Sequence, residues 1–307
     1  MIALPWILWA VGRLAELDRG HPLVALMALT PYAAVTAPIP VAVALVLRRW
    51  LVATIAAGAA VALAAVVLPR AIPDGGQVLG SEQGPALTVM TANLYEGRAD
   101  ASALLALARE RRVDVLSLQE LTPDALARLD SAGARELFPG RVMAPRPGAI
   151  GSGLMARRRL SLAGEVAPRG TAEPEASLTV PGTMPVRVKA VHPPAPISSH
   201  AAWVWARALR RLPDPGGVQM LRLLAGDFNG TLDNHEMRAL LDRGYVDAAD
   251  AGGAGLQPTW PSDGIRPRIV IDHVLAPRSV SVRRVTVHAL PGSDHGALIA
   301  EVVLPSR

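Results

Sequence analysis

The chain has 307 residues, half of them hydrophobic, so it is long enough for a large buried core and too apolar to be mainly disordered. It has no cysteine, which excludes disulfide scaffolds, zinc fingers, thiol nucleophiles and iron–sulfur clusters. The net charge of +5 would suit a nucleic-acid partner, but five arginines and two acids in residues 1–70 leave only +2 for the rest. Charge alone therefore gives little support for nucleic-acid binding.

Residues 1–70 have the composition of a transmembrane anchor. No charged side chain occurs in residues 22–47 or in residues 51–68, and both stretches reach the length of roughly 17 to 25 residues that a spanning helix needs. Four prolines in the first stretch predict a kink or an interfacial segment before a shorter span. Residues 1–12 are apolar but too short to span alone, so they are expected to form a partial helix or to lie in the interface. The alternative is a buried hairpin of helices in a soluble protein.

Two arginines predict the orientation of this anchor. Arg48 and Arg49 lie in the short link between the two candidate spans, and arginine-rich short loops favour the cytoplasm. We therefore expect a multi-pass protein of the cell membrane whose catalytic region lies outside the cytoplasm. Residues 71–85 are rich in glycine and proline and are predicted to be a linker, so the catalytic domain is expected to span residues 86–307.

The second part of the chain repeats one pattern, in which a short apolar run ends at acidic, amide or histidine side chains. Such runs predict strands, and helical patterns alternate with them until the C-terminal part, which is mostly strand. This order predicts an α/β protein with two β-sheets packed face to face and helices outside. The polar residues at the strand ends are Asn93, Glu120, His192, Asp227, Asn229, Asp272, Asp294 and His295.

Carboxylates gathered at one edge of a sheet repel each other unless a cation or a proton lies between them. Carboxylate and amide oxygens suit Mg²⁺ or Mn²⁺ better than zinc. His192 and His295 add side chains that can bind or polarise a phosphoryl oxygen. Metal, carboxylate base and histidine together predict metal-assisted phosphoester hydrolysis.

The ordered motifs TANLY, SLQE, VH, GDFN, IDHVL and SDHGALIAEV resemble those of the endonuclease/exonuclease/phosphatase superfamily. Its members include pancreatic deoxyribonuclease and neutral sphingomyelinases, and the resemblance covers about residues 86–305. It implies a four-layer, deoxyribonuclease-like β-sandwich flanked by helices, here preceded by N-terminal transmembrane helices. The whole chain resembles the membrane-anchored bacterial branch of the superfamily.

The resemblance also implies a metal site. Glu120 is expected to be the main ligand of Mg²⁺ or Mn²⁺, with Asn93 beside it at the metal or the phosphate. Asp294 is expected to be a further carboxylate on the metal side.

The same resemblance implies roles for five catalytic residues. Asp227 would orient or deprotonate the attacking water, and Asn229 would hydrogen-bond the phosphoryl group. His295 would stabilise the pentavalent phosphorus, with its tautomer fixed by Asp272. His192 matches the position of a phosphate-contacting residue in nuclease-like members.

These expectations describe a membrane-anchored, divalent-metal-dependent phosphoesterase that hydrolyses phosphodiester bonds. A nucleic-acid substrate is preferred to a lipid headgroup. The preference is narrow, because a phospholipid or sphingomyelin phosphodiesterase or a phosphatase of the same superfamily would also suit a domain beside a bilayer. The alternative of another class is a catalytically inactive surface binding module. The N-terminal helices imply the lipid bilayer as a partner, and no protein partner is implied.

Overall fold

A computed structural model describes residues 2–73, 84–164, 170–217 and 219–306, so most of the predicted linker 71–85 lies outside the described residues. The described helices are α1 Leu4–Leu14, α2 Leu23–Met27, α3 Thr30–Thr36, α4 Pro38–Val46, α5 Trp50–Val67, α6 Ala101–Glu110, α7 Pro123–Ser131, α8 Ala134–Leu137, α9 Ser199–Arg210, α10 His235–Asp242 and α11 Ala248–Ala251. The described strands are β1 Ala86–Asn93, β2 Val115–Gln119, β3 Gly140–Ala144, β4 Ser152–Ala156, β5 Leu160–Leu162, β6 Glu175–Leu178, β7 Val186–Val191, β8 Gly216–Gly217, β9 Met220–Asp227, β10 Tyr245–Asp247, β11 Asp272–Pro277, β12 Ser281–Ala289 and β13 Gly296–Val303.

The strands form two mixed sheets. The first has the order β12-β13-β1-β2-β4-β3, and the second has the order β10-β11-β9-β7-β6-β5, with β8 paired to β9. Each sheet contains a parallel pair near its centre, β1 with β2 and β7 with β9, while its other pairings are antiparallel. The carboxyl ends of each parallel pair therefore meet at one edge of its sheet.

The two sheets pack face to face over a core of aliphatic side chains, which includes Val89, Val188 and Leu223. Helices α6, α7 and α8 cover the outer face of the first sheet, and α9 and α10 cover the second. This arrangement confirms the predicted α/β class and the two-sheet sandwich flanked by helices.

Local signals explain where the covering helices begin. Asp100 caps α6 by accepting hydrogen bonds from the backbone N–H groups of Ser102 and Ala103. Thr122 caps α7, whose first residue is a proline, and Ser198 caps α9. Such side chains satisfy backbone donors that the first helical turn leaves unpaired.

In place of one helix over residues 22–47 the structure has the three short helices α2, α3 and α4, interrupted in the stretch where the prolines led us to expect a kink or an interfacial segment. Pro22, Pro31 and Pro38 lie at the starts of these helices, where the fixed backbone angle of proline favours a new helix and its missing N–H cannot continue the previous one. The helix predicted at residues 51–68 is present as α5, and α1 occupies the region of the expected partial helix.

Among the described residues, one helical stretch, Trp50–Ala71, is long and apolar enough to cross a membrane by length and composition. The apolar helices Leu4–Leu14 and Thr30–Val46 are shorter. The structure therefore supports one candidate span where the sequence suggested two, and the expected multi-pass topology is not supported.

The N-terminal helices pack against the sandwich through buried ion pairs. Arg13 Nε lies 2.9 Å from Asp233 Oδ1, and the two terminal nitrogens of Arg70 bind both oxygens of Asp233 at 2.8 Å. Val24 of α2 belongs to the same buried cluster as Trp205 and the helices over the second sheet. Nothing in the sequence spacing predicts this interface.

Candidate active site

The first four predicted site residues lie where the central parallel strands end. Asn93 is the last residue of β1, and Glu120 directly follows β2. His192 directly follows β7, and Asp227 is the last residue of β9. Because both parallel pairs end at the same edge of the sandwich, these side chains converge there.

Antiparallel pairing brings the remaining predicted residues to the same edge. Asp272 begins β11 and is paired in register with Asp227. Asp294 and His295 directly precede β13, which pairs with β1. Asn229 lies beside Asp227, to whose Oδ1 its backbone N–H donates, while its side-chain Nδ2 donates to the carbonyl of Pro193 at 3.0 Å. The eight residues predicted from the sequence thus lie together, and the roles assigned to them stay predictions.

Asn93 links two of the carboxylates. Its Nδ2 donates to Glu120 Oε1 at 3.1 Å and to Asp227 Oδ2 at 3.0 Å, while its Oδ1 accepts from the backbone of Tyr95. The amide thus holds the end of the first sheet against the end of the second. Metal ligation by Asn93 stays a prediction.

His295 and Asp272 form a buried pair in which Nδ1 lies 2.9 Å from Oδ2. His295 Nε2 faces Asp227 Oδ2 at 3.8 Å and Asp294 Oδ1 at 3.9 Å. Burial lowers the pKa of His295, but the carboxylates of Asp272, Asp227 and Asp294 outweigh it and raise that pKa to about 10. Such a ring is protonated on both nitrogens and can donate a proton from Nε2 into the cluster.

His192 differs from His295 in its protonation. Its Nε2 lies 3.7 Å from Asp227 Oδ2 and 3.9 Å from Glu120 Oε1, and its buried Nδ1 has no hydrogen-bond partner. Burial lowers the pKa of His192, and the positive charge of His295 lowers it further. The two histidines therefore provide one neutral and one charged imidazole.

The cluster carries more negative charge than its own cations neutralise. Burial raises the pKa of Asp227, as does the charge of Asp272, and burial raises the pKa of Glu120. Asp272 Oδ1 and Asp294 Oδ1 are buried without a hydrogen-bond partner. Unpartnered carboxylate oxygens and raised pKa values are what a divalent cation would relieve, so the donor set fits Mg²⁺ or Mn²⁺.

One trio, Asp227, Asp272 and His295, offers possible ligand atoms within 4.8 Å of one another. His295 Nδ1 is already paired with Asp272, so Nε2 is the ring nitrogen that this trio could offer to a metal. Metal ligation by Glu120 and Asp294, as expected from the sequence, stays a prediction.

The backbone around the site is unusual. Tyr95, Glu96, Glu120 and Asn229 have φ between 48° and 55°, a left-handed conformation that non-glycine residues adopt infrequently. The Glu96 backbone N–H donates to Glu120 Oε2 at 2.6 Å, and Asn229 N donates to Asp227 Oδ1 at 2.8 Å. The left-handed turns thus aim backbone donors at the carboxylates.

The GDFN motif needs its glycine because two backbones meet there. A Cβ on Gly226 would lie 1.9 Å from the carbonyl oxygen of Val191. Only glycine lets β9 approach β7 closely enough to place Asp227 beside His192.

Sequence reasoning missed three supporting residues. Trp260 Nε1 donates to Asp294 Oδ2 at 3.0 Å, and a tryptophan in a PTWP segment is the signal that could have located it. Ser293 Oγ donates to the carbonyl of Asn93 at 2.8 Å and accepts from the backbone of His295 at 3.0 Å.

The third supporting residue is His273. It is fully buried, with Nδ1 2.7 Å from Asp247 Oδ2 and Nε2 2.9 Å from the carbonyl of Gly230. Burial lowers the pKa of His273, but Asp247 and these hydrogen bonds raise it overall. Side chains alternate along β11, so His273 supports the GDFN turn from the face opposite Asp272.

A cavity of about 830 Å³ opens over the cluster. Glu120, His192, Asp227, Asp294 and His295 form its polar part. The N-terminal helices complete it, and the residues that they contribute include Val24, Ala25, Ala28 and Leu29.

Two packed mixed sheets with this carboxylate, amide and histidine cluster at one edge define a class of phosphoester hydrolase. Residues 90–295 match the sequence model of the Endonuclease/Exonuclease/phosphatase family, and the chain belongs to this family. No curated protein matches the chain by sequence.

Several solved structures are similar to this chain. An endonuclease/exonuclease/phosphatase from Beutenbergia cavernae DSM 12333 has 21% identity and a TM-score of 0.56, over 72% of each chain. A humanized D. rerio TDP2 carrying 14 mutations has 17% identity and a TM-score of 0.54, over 71% of this chain and 98% of its own. Sphingomyelinase C from Streptomyces griseocarneus has 18% identity and a TM-score of 0.48, over 71% and 99%. Because the identity is below 25%, the first two similarities show a shared fold and nothing more.

Proposed function

We propose that this protein is a Mg²⁺- or Mn²⁺-dependent phosphodiesterase held at a membrane. The observation that carries the proposal is the cluster of four carboxylates around one charged and one neutral histidine, at the base of an open cavity. Hydrolysis of a phosphodiester needs charge neutralisation, a base for water and donors for the developing oxyanion, and the cluster offers a residue for each.

Glu120 and Asp294 would hold the metal, which when bound would neutralise phosphoryl oxygen charge and lower the pKa of a water molecule. Asp227 would accept a proton from the attacking water, because burial and Asp272 raise its pKa above that of an ordinary aspartate. His295 would donate from Nε2 to a phosphoryl oxygen, with Asp272 fixing its ring. Neutral His192 and the amide of Asn229 would contact the remaining phosphate oxygens.

The membrane part of the proposal depends on α5 and the surface around it. Trp50, Leu51 and Val61 on this helix are 67%, 75% and 68% exposed, which is unusual for large apolar side chains in water. The helix is 18 residues long, about 27 Å, close to the thickness of a bilayer core. Arg48 and Arg49 lie at one end of it, and Arg70, which contacts the sandwich, follows the other end. The positive-inside rule then predicts an extracytoplasmic sandwich.

Hydrolysis of bis(p-nitrophenyl) phosphate by the full chain in amphipol tests the enzymatic proposal. We expect turnover with Mg²⁺ or Mn²⁺, loss of turnover after EDTA treatment, and recovery when the metal is restored. Glu120→Gln should weaken metal binding measured by calorimetry as well as turnover. Metal binding without hydrolysis of this ester, DNA, RNA or lipid would instead identify a binding module.

Membrane attachment is tested separately by alkaline carbonate extraction of membranes from cells that express the full chain. We expect the protein to stay in the pellet, and release into the supernatant would contradict a spanning helix. A reporter that is active only outside the cytoplasm, fused after residue 307, should be active, and its silence would reverse the predicted orientation.

A further inference from the structure

The cavity over the catalytic cluster is much larger than the polar site at its base, and most of its remaining wall is apolar. Ile150 and Ile197 contribute to that wall from the sandwich, and Val24, Ala25 and Leu29 contribute from the N-terminal helices. The N-terminal part of the wall lies outside residues 90–295, so it is an addition of this chain to the family domain. A phosphate group alone has no use for an apolar wall of this extent.

A second cavity of about 560 Å³ adjoins the first. Both are lined by Ala28, Thr231 and Ile269, so these residues mark a common boundary. The second cavity lies between the N-terminal helices and the sandwich, and its lining, which is mostly apolar, also includes Arg268 and the paired Arg70 and Asp233. Val35 and Leu68 belong to its apolar part. These two side chains are 78% and 60% exposed, so the apolar lining continues onto the outer surface around the candidate membrane span.

The helices that form this wall are fixed to the sandwich beside the catalytic motif. Asn234 Nδ2 donates to the carbonyl of Val24 at 2.9 Å, and Asp18 accepts from the backbone of His235 at 2.8 Å. Asp233, which holds Arg13 and Arg70, lies four residues after Asn229. The apolar wall is therefore built into the same loop that carries the catalytic residues.

The charges of the cavity argue against a polyanion. Among its described lining residues, Arg266 is the one arginine or lysine, whereas Glu96, Glu120, Asp227 and Asp294 are acidic. A protein that follows a nucleic-acid backbone neutralises successive phosphates with lysine and arginine. This cavity can accommodate one phosphate at its base and offers apolar contacts beyond it.

We propose that the two cavities form one path that holds the alkyl chain of a membrane phospholipid while its phosphodiester lies at the carboxylate–histidine cluster. The lipid enters between the N-terminal helices and the sandwich, from the surface that adjoins the bilayer. The proposal rests on the phosphodiesterase function above and assigns its substrate class. The residues that determine this specificity are Ala25, Ala28 and Leu29.

The test uses the full chain in amphipol with Mg²⁺ and two soluble chromogenic esters, methyl p-nitrophenyl phosphate and octyl p-nitrophenyl phosphate, below the micellar concentration of the latter. We expect kcat/KM for the octyl ester to exceed that for the methyl ester by about 10-fold or more, because the apolar chain gains contacts in the path. Equal values would overturn the lipid proposal and leave the phosphodiesterase function intact. Preferred cleavage of plasmid DNA with equal ester values would identify a nucleic-acid substrate.

Two variants test whether the preference for the octyl ester arises from contacts in the proposed path. Ala25→Asp puts a charge on an exposed residue of the wall, and Ala28→Phe fills the boundary between the cavities. Each should reduce the octyl-to-methyl ratio at least about 5-fold, since either one removes apolar contact with the chain. Leu26→Asp, on the same helix but outside both cavity linings, is the matched control and should keep the wild-type ratio. A ratio that all three variants leave unchanged would overturn the proposal.

Calorimetry separates failure of this proposal from failure of the proposed function. The Glu120→Gln variant should bind the octyl ester more tightly than the methyl ester even if it turns over neither. Tighter octyl binding without hydrolysis by the unmodified chain would retain the chain-binding path and reject the phosphodiesterase function, and the substrate assignment with it.

Discussion

The N-terminal helical region and the sandwich place their side chains in opposite ways. The sandwich buries aliphatic residues between its sheets and gathers charged residues at one edge. The helical region buries Arg13, Asp18 and Arg70 against the sandwich and exposes large apolar side chains such as Val35 and Leu51. Exposed apolar side chains of this kind are what the membrane attachment proposed above would cover, whereas the sandwich exposes the mixed surface of a domain in water.

The same contrast explains why the N-terminal helices are fixed to the sandwich. Charges are costly to bury unless they are paired, so Arg13 and Arg70 have a partner in Asp233 inside the sandwich. A lipid-covered helix bundle joined to the domain by a loose tether would not need such contacts. The buried pairs hold the apolar wall of the cavity beside the catalytic cluster.

The largest effect is expected at the sandwich edge. Asp227→Asn should reduce kcat on bis(p-nitrophenyl) phosphate by about 10³-fold or more, because the amide cannot accept a proton from water. Asp242→Asn, an exposed acid at the end of α10, is the control and should keep full activity. A fully active Asp227→Asn protein with intact thermal unfolding would remove Asp227 from the mechanism.

The second largest effect is expected at the buried ion pairs between the N-terminal helices and the sandwich. Asp233→Asn leaves two buried arginines without a carboxylate and should lower the free energy of unfolding by roughly 3–5 kcal/mol, measured by denaturant titration in amphipol. Asp214→Asn breaks a surface ion pair with Arg243, whose carboxylate side is 76% exposed, and should change stability by less than about 1 kcal/mol. Similar small losses in both variants would mean that the helices are only loosely attached.

A smaller loss is expected beneath the catalytic turn. His273→Gln should cost about 2 kcal/mol of unfolding free energy, because Asp247 and the Gly230 carbonyl lose well-placed donors in a buried position. The reduced support of the GDFN turn should also lower kcat. His288→Gln on the half-buried edge strand β12 is a matched control, expected within about 0.5 kcal/mol of the parent.

The smallest effect is expected on the outer face of α5. Val61→Ser removes a side chain that is 68% exposed and should change the unfolding free energy by less than about 0.5 kcal/mol in amphipol. Leu63→Ala, two residues away and 1% exposed, should cost about 2 kcal/mol or more. If Val61→Ser proves as costly as Leu63→Ala, protein rather than lipid covers this face, and a second copy of the chain becomes the better candidate.

Particular residues show how far prediction from the sequence reaches. Asn93, Glu120, His192 and Asp227 are predictable as a cluster because apolar runs of strand length stop at them, and strand ends of parallel pairs meet. Glu120 and Asn229 are recognisable, but their left-handed backbone is not, because it depends on the turns that pack around them. The prolines of residues 22–47 signal an interruption in the sequence, but only the structure shows that the stretch divides into three short helices.

The order of strand-ending motifs by itself determined the α/β sandwich, the family and the residues gathered at one edge, because hydrophobic periodicity and strand-end chemistry are local properties. The tertiary structure alone decided that Asp233 joins Arg13 and Arg70, that His273 supports the catalytic turn, and that α2 forms a wall of the cavity. These contacts join residues up to 220 positions apart. Such pairings arise from packing in three dimensions, for which a single sequence carries no periodic signal.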